Sequence, residues 1–232
     1  MSGDSGFFQG GFWIVFVVIF VVVAIFGWRA NKKRQEALRA WAAGRGWSYT
    51  ATVPALVNRW QSPPFRQGSS RRASEVLTGV FQGEQALSFN YTYTTGSGKS
   101  RSTHPFHVVS LHLPAELPWV QLTPEGAGAA IAKFFGGQDI EFESAAFNDA
   151  WRVKTASSRF AYDLIHPRMM ERLLQGDAVG KAITVEGQDI YLWANGRQRI
   201  EYIDSYLNLL YGIVERVPRH LWLNVGHDPL AG

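Results

Sequence analysis

The chain has 232 residues, with 23 Lys and Arg, 19 Asp and Glu, and no cysteine. The lack of cysteine excludes disulfides, thiolate metal sites and cysteine catalysis. Residues 1–45 hold six Lys or Arg and two Asp or Glu, which gives +4, and the remaining residues hold 17 of each and sum to zero. A nucleic-acid-binding domain concentrates basic residues on its folded part. We therefore predict no nucleic-acid partner.

An apolar segment from Phe7 to Trp28 dominates the N-terminal part, and residues 5–28 contain no charged side chain. At about 1.5 Å per residue this segment forms a helix of roughly 33 Å, enough to cross a hydrocarbon core of about 30 Å. Trp13 and Trp28 lie near its ends, where indole rings favour the membrane interface. We predict a transmembrane helix over 7–28, preceded by a short extracytoplasmic head over 1–6.

Basic residues follow this segment at once. A cleaved secretory signal would carry its positive charges before the apolar stretch, so we expect a retained anchor. The positive-inside rule places the N-terminus outside the cell membrane and the main domain in the cytoplasm. The basic side chains could bind anionic lipids, although setting the topology is the simpler role. The predicted membrane-interface residues are Trp13, Trp28, Arg29, Lys32, Lys33 and Arg34.

Residues 47–226 predict one soluble α+β domain, mainly an antiparallel sheet, which follows a basic juxtamembrane helix at 29–46 and precedes a tail at 227–232. Short turns between alternating segments permit only antiparallel neighbours. The strands are predicted at 47–53, 76–81, 87–95, 104–113, 119–122, 139–143, 151–155, 183–185 and 190–193, the last two as a hairpin. The helices are predicted at 125–135, 157–165, 167–175 and 197–217. An apolar stripe indicates that the long C-terminal helix packs on the sheet.

The segment 54–74 is predicted to be a loop, because its apolar spacing is irregular and it contains Pro, Gly and Ser clusters. Arg66, Arg71 and Arg72 lie in this loop. Their guanidinium groups could meet lipid phosphates or an acidic partner. A solvated loop is the simpler interpretation.

Three acidic residues, Asp139, Glu141 and Glu143, alternate with apolar residues and would share one face of a strand. Paired carboxylates can hold a cation or exchange protons with a substrate. An exposed acidic strand that discourages pairing with another chain is the commoner explanation of such a pattern.

Three histidines, His104, His107 and His112, lie in one predicted strand. Alternation puts His104 and His112 on one face and His107 on the other, so the three cannot converge on a metal ion without a bulge. We therefore predict no metal site, and the sequence indicates no cofactor.

Several short apolar and aromatic motifs resemble a group of uncharacterised bacterial single-pass membrane proteins, which carry an N-terminal span and a C-terminal domain of unknown function. The motifs are Ala43-x-x-Gly46-Trp47-x-Tyr49, Asp139-Ile140-x-Phe142-Glu143, Phe147-Asn148-x-x-Trp151-x-Val153, and Ala161 with Leu164-Ile165-x-Pro167-x-Met169. The resemblance implies a membrane-anchored α+β domain and carries over no catalytic residue.

These observations favour a membrane-anchored binding or scaffolding module at the cytoplasmic face. Its expected partners are the lipid bilayer, anionic lipids and an unidentified membrane protein. The alternative is a membrane-tethered hydrolase or transferase, in which Asp139 and Glu143 act together with His166 or His104. That alternative requires a pocket in which these side chains meet.

Overall fold

The computed structural model describes residues 5–124 and 138–231, and its fold is α+β, as predicted. The predicted helix at 125–135 and the first four residues of the predicted head lie outside the described residues. The helices are α1 (Ser5–Ala43), α2 (Ala145–Ala150), α3 (Ser158–Leu164), α4 (Pro167–Leu173), α5 (Ile200–Val214) and α6 (Arg219–Asn224). The strands are β1 (Ser48–Thr52), β2 (Ser69–Phe81), β3 (Glu84–Thr95), β4 (Ser102–Pro124), β5 (Gln138–Ile140), β6 (Trp151–Thr155) and β7 (Ala182–Asn195).

The seven strands form one antiparallel sheet in the order β1-β2-β3-β4-β6-β5, and β7 pairs with β4 as well. Strand β4 is the central element because it pairs with three other strands, β3, β6 and β7. Strand β7 pairs with it from Phe106 to Leu122. On the other edge β3 pairs with the first half of β4, and β6 pairs with its last residues.

Three predicted elements differ from the structure. The predicted hairpin at 183–193 is wrong, because β7 is one continuous strand that pairs with β4 on both sides of Gly187. Gly187 has a φ of +64° and lies where the pairing is irregular. Between the pairs His112↔Asp189 and Leu117↔Gly187 the extra residues belong to β4, so β4 carries the bulge and β7 continues through the glycine. The predicted strands at 104–113 and 119–122 are likewise one strand. The loop predicted at 54–74 ends earlier, because β2 begins at Ser69.

The segment 54–68 covers one face of the sheet with a cluster of aromatic side chains. The ring of Trp60 stacks on Tyr191 with centroids 4.3 Å apart, and Phe65 packs on Tyr91 at 4.6 Å. Both Trp60 and Phe65 are 1% exposed. The aromatic alternation of β3 supplies the opposing surface, since Phe89 and Tyr91 point to this face.

The helices cover the other face. The amphipathic helix α5 buries Ile203, Leu207 and Leu210 against β4 and β7. Helix α3 begins where Ser157 accepts a hydrogen bond from the backbone N–H of Phe160, which is the predicted N-cap. The C-terminal part of α1 lies on the same face, with Leu38 and Ala42 fully buried in the core.

Replacing Phe65 tests the aromatic layer. Phe65→Ala leaves a cavity beneath the segment 54–68 and is expected to lower the free energy of unfolding by about 3–5 kcal/mol. Chemical unfolding of the full chain in detergent, followed by near-ultraviolet circular dichroism, measures this. The control is Val80→Ala at a position that is 62% exposed, where a change of about 0.5 kcal/mol is expected. Equal losses for both variants would contradict the layer's role.

Candidate functional site at the junction of α1 with the sheet

The N-terminal part of α1 is exposed. Every described side chain from Val15 to Ala30 is exposed. Within the described residues, α1 is the one helix long and apolar enough to cross a membrane. Trp13 and Trp28 are 73% and 64% exposed. An exposed apolar surface of this extent marks a contact with a membrane or with another protein.

The basic residues that follow remain largely free of the folded domain. Arg29, Lys32 and Lys33 are exposed. The ammonium group of Lys32 lies 5.6 Å from the Trp28 ring centroid and 4.0 Å from the carboxylate of Glu36. These are contacts within α1 itself. The three basic side chains are therefore free to meet an interface beside the helix.

Arg34 differs from the other predicted membrane-interface residues, because its charge is held by the folded domain. Its Nε lies 3.0 and 3.1 Å from the two carboxylate oxygens of Glu75 on β2. Its Nη2 donates to the backbone carbonyl of Gln198, just before α5. Glu75 is only 7% exposed, and a carboxylate this buried requires a cation or several donors. Arg34 therefore joins α1 to two elements of the domain.

A second pair of contacts holds the C-terminal end of α1. Arg45 Nη2 lies 2.5 Å from a carboxylate oxygen of Asp204 on α5. The Arg39 guanidinium lies over the Tyr49 ring at 4.9 Å from its centroid. Between Arg34 and Arg45, the side chains of Leu38 and Ala42 are 1% and 2% exposed. The last turns of α1 are thus fixed to the sheet by apolar burial between two ion pairs.

A buried polar network continues from Arg34 into the sheet. The side-chain amide of Gln198 donates to Ser88 Oγ at 2.9 Å, and Ser88 Oγ lies 3.0 Å from His107 Nε2. Ser88, His107 and Gln198 are 0%, 2% and 0% exposed. With Oγ accepting from Gln198, the serine hydroxyl can donate to His107 Nε2, which assigns the ring proton to Nδ1.

A serine hydroxyl beside a histidine is also the geometry of a nucleophile and its base. Here the pair lacks the rest of such a site. Among the described residues, His107 Nδ1 has no hydrogen-bond partner to orient the ring. Both side chains are buried, at 0% and 2% exposed. Burial, together with the positive charge of Arg34, lowers the pKa of His107 to about 3. We assign Ser88 and His107 to the junction and not to catalysis.

The structure does not gather the predicted acidic residues on one strand. Strand β5 ends at Ile140, so Asp139 alone lies in it, and the predicted shared strand face is wrong. The Asp139 carboxylate accepts a hydrogen bond from Arg152 at 2.9 Å. Glu141 and Glu143 follow in an irregular segment and are exposed. A groove of about 410 Å³ contains Asp139 and Glu141 but neither Glu143 nor a histidine.

The predicted histidines also lie apart from these acids. His104 Nε2 lies 2.8 Å from Thr95 Oγ1, and its ring stacks on Tyr93. The Nε2 of His166 lies 3.0 Å from the backbone carbonyl of Arg216. No described contact joins either histidine to Asp139 or Glu143. The described part of the chain contains no group of three potential metal ligands.

A carboxylate cluster that the sequence did not reveal lies on β7. The Asp189 carboxylate accepts hydrogen bonds from Arg59 Nε at 2.8 Å and from Arg59 Nη2 at 2.9 Å. It also accepts a hydrogen bond from the indole N–H of Trp60 at 3.0 Å, and its Oδ1 lies 3.2 Å from His112 Nδ1. Glu186 accepts the backbone N–H of Gln61 and Ser62. These bonds fasten the segment 54–68 to the sheet. Because its oxygens are occupied by donors, Asp189 is poorly suited to act as a base.

Comparisons with known proteins give one structural likeness. No family model matches the chain, and no match was found among curated proteins. A crystal structure described as the mycobacterial trehalose monomycolate transport factor A, TtfA, is similar with a TM-score of 0.61. The alignment has 15% sequence identity and covers 79% of this chain and 96% of that chain. At this identity the likeness shows a shared fold.

Removing Arg34 tests the junction. Arg34→Met leaves Glu75 charged and largely buried, and we expect a loss of about 2–4 kcal/mol in the free energy of unfolding. Chemical unfolding in detergent measures it. Lys33→Met, which removes an exposed charge one residue earlier, is the control and should change little. Arg34→Met/Glu75→Met should recover part of the loss because no buried charge remains. Equal effects for Arg34→Met and Lys33→Met would contradict the assignment.

His107 gives the junction a pH dependence. The folded protein keeps His107 neutral down to about pH 3, whereas the unfolded chain takes up this proton near pH 6.5. Between these values the unfolded state binds one more proton, so His107 makes stability fall by about 1.4 kcal/mol per pH unit on acidification. His107→Gln should lose this part of the slope below pH 6 and match the slope of the wild type above pH 7. Parallel stability profiles from pH 7 to 4 would contradict a buried neutral His107.

Proposed function

We propose that the chain is a single-pass membrane protein, with its N-terminus outside and its sheet domain at the cytoplasmic face, and that the domain is a binding or scaffolding module. The observation that carries the proposal is the junction. Helix α1 is continuous from its exposed apolar part to its C-terminal turns, whose side chains Leu38 and Ala42 are buried in the domain core. Such a connection holds the domain at a fixed position beside the membrane.

The basic flank supports this orientation. Arg29, Lys32 and Lys33 remain exposed beside the apolar part of α1. The positive-inside rule concerns Lys and Arg residues in this position, close to the end of a transmembrane segment. Arg34 is about six residues, or roughly 9 Å, beyond Trp28 along the helix. The folded domain therefore begins directly at the membrane surface, with no flexible linker in between.

The surface favours binding over catalysis. A groove of about 750 Å³ lies among α5, α6 and the turn between β2 and β3, and its lining includes Tyr211, Val217 and Leu230. A partly apolar groove of this size suits a partner side chain or segment. The hydrolase or transferase alternative has no comparable support, because its acidic residues and histidines occupy separate places in the described structure.

The structural neighbour suggests a more specific form of the proposal. That protein is described as a trehalose monomycolate transport factor. We propose that the present chain likewise has a supporting role in transport, with its domain as the part that meets other components at the membrane surface.

Reporter fusions test the location. A green fluorescent protein fused after Gly232 should fluoresce, and an alkaline phosphatase fused at the same point should be inactive, because the domain is expected in the cytoplasm. The variant Arg29→Gln/Lys32→Gln/Lys33→Gln removes the exposed positive charges and should raise phosphatase activity by allowing inverted insertion. An active phosphatase with a dark fluorescent protein in the unaltered chain would overturn the proposed orientation.

A further inference from the structure

The folded domain is electrically neutral as a whole, but its charges are not evenly distributed along the chain. Three segments, 46–74, 85–115 and 190–200, contain no Asp or Glu. Apart from Arg59, and from Arg199, which forms an ion pair with Glu201, their Lys and Arg residues cluster near the ends of β2, β3, β4 and β7. The sheet register decides whether these separate segments meet.

The register brings them to the same end of the sheet. Strand β2 begins with Ser69 opposite Thr94, and β3 ends with Thr95 opposite Ser102. The last residue of β7, Asn195, pairs with Phe106 near the start of β4. The beginnings of β2 and β4 and the endings of β3 and β7 therefore form one edge of the domain.

Six basic residues lie at this edge, which we call the basic end. Arg66 and Arg72 donate to neutral side-chain oxygens of Asn58 and Thr52. Among the described residues, no member of the basic end makes an ion pair within 4 Å. All six are exposed except Arg71, which is partly buried. The members are Arg66, Arg71, Arg72, Lys99, Arg101 and Arg197.

The acidic residues of β3, β4 and β7 lie toward the opposite end, whereas Glu75 in the middle of β2 is paired with Arg34. Glu84 begins β3, and Glu116 lies in the second half of β4. Asp189 pairs with His112, six positions beyond Phe106 on β4. Glu186 lies farther still along β7. The sheet domain is thus polarised along its strands, from a basic end to an acidic end.

Helix α1 leaves the domain in the direction of the basic end. The indole N–H of Trp47, after the helix, donates to the carbonyl of Val80, whereas Arg34 meets Glu75 and Gln198. Moving from Val80 to Glu75 along β2 is moving toward Ser69 and the basic end. The apolar part of α1 therefore lies on the same side of the domain as the basic end.

Measured from the contact of Arg34 with β2, the hairpin extends farther than the end of the apolar segment. From Asn90, the partner of Ser74, to Thr95 is five strand residues, or about 17 Å. From Arg34 back to Trp28 is six helical residues, or about 9 Å. The hairpin at 96–101 is therefore long enough to reach the level of Trp28, the residue that ends the apolar segment.

We propose that the basic end rests on the anionic headgroup surface of the bilayer that holds α1. This inference rests on the proposed anchoring and adds a second contact with the same membrane. Guanidinium groups bind lipid phosphates through paired N–H donors, and ammonium groups add point charges. The basic end continues the exposed charges of Arg29, Lys32 and Lys33, so one lipid surface can meet both.

Two contacts with the membrane would fix the tilt of the domain as well as its position. The anchor alone leaves rotation about the membrane normal and tilt of α1 free. The basic end removes the tilt by holding the hairpin at 96–101 to the lipid surface. The groove at Leu230 also contains Gln82 and Glu84, which lie at the acidic end. That groove then faces away from the bilayer and toward soluble partners.

Site-specific fluorescence quenching in vesicles tests the inference. Because the chain has no cysteine, single substitutions allow clean labelling of the full chain. The labels are placed at Ser97→Cys in the hairpin, at Glu116→Cys on the acidic half, and at Ala30→Cys beside the membrane. The quencher is a nitroxide-headgroup phospholipid. The vesicles contain phosphatidylcholine alone or with phosphatidylglycerol.

The label at position 97 should be quenched strongly in anionic vesicles and much less in neutral vesicles or at high salt. The label at position 116 should remain unquenched in all of them. Lys99→Gln/Arg101→Gln should reduce the ratio of docked to undocked domain by about 30-fold, since each charge near such a surface contributes about a fivefold factor. Arg159→Gln/Arg168→Gln removes two exposed charges elsewhere and should leave quenching unchanged.

The outcomes separate the two proposals. Quenching at position 30 in every vesicle supports the anchoring, and its absence overturns the anchoring and the inference together. With position 30 quenched, equal quenching at 97 and 116 overturns the inference alone. Equal quenching at 97 in neutral and anionic vesicles, or an equal effect of the two double variants, also overturns it and leaves the basic end to a soluble acidic partner.

Discussion

The ion pair between Arg34 and Glu75 is the constraint on which the rest of the structure depends. A carboxylate that is 7% exposed is stable only with a charged partner, and this partner comes from α1 and not from the sheet. The domain core is therefore completed by the helix that also carries the apolar segment. Leu38 and Ala42 extend the contact by apolar burial, and Arg45 closes it at Asp204. Anchor and domain are in this way one folded unit.

Much of this architecture follows from local pattern. The aromatic alternation of β3, the capping serine of α3 and the amphipathic spacing of α5 each have a short-range cause, so the sequence predicts them. The errors concern nonlocal pairing. Gly187 suggests a turn, but β4 supplies a partner for both halves of β7, and the strand continues through the glycine opposite a bulge in β4. Arg34 has the sequence context of an interfacial residue, and only the fold places Glu75 and Gln198 beside it.

The charge distribution shows more clearly that local sequence patterns do not predict which distant residues meet. The formal charges of the domain sum to zero, which argues against a basic surface. The sheet register overrides that count, because it brings Arg66, Arg71, Arg72, Lys99, Arg101 and Arg197 to one edge. The candidate acids show the reverse case. Asp139 and Glu143 are close in sequence, but Asp139 lies in β5 and Glu143 lies in the irregular segment that follows it. The proposed function depends on where a charged surface lies relative to a membrane, and it invokes no reactive group.

Rigid attachment of the domain to α1 is the central claim, and a distance measurement tests it most directly. Spin labels at Ala30→Cys and Thr78→Cys would report the separation of the helix and the sheet by double electron–electron resonance in bilayers. A rigid junction predicts one narrow distance distribution, unchanged between neutral and anionic lipids and broadened by Arg34→Met. A broad distribution in the unaltered junction would show a domain on a flexible tether and would contradict the account.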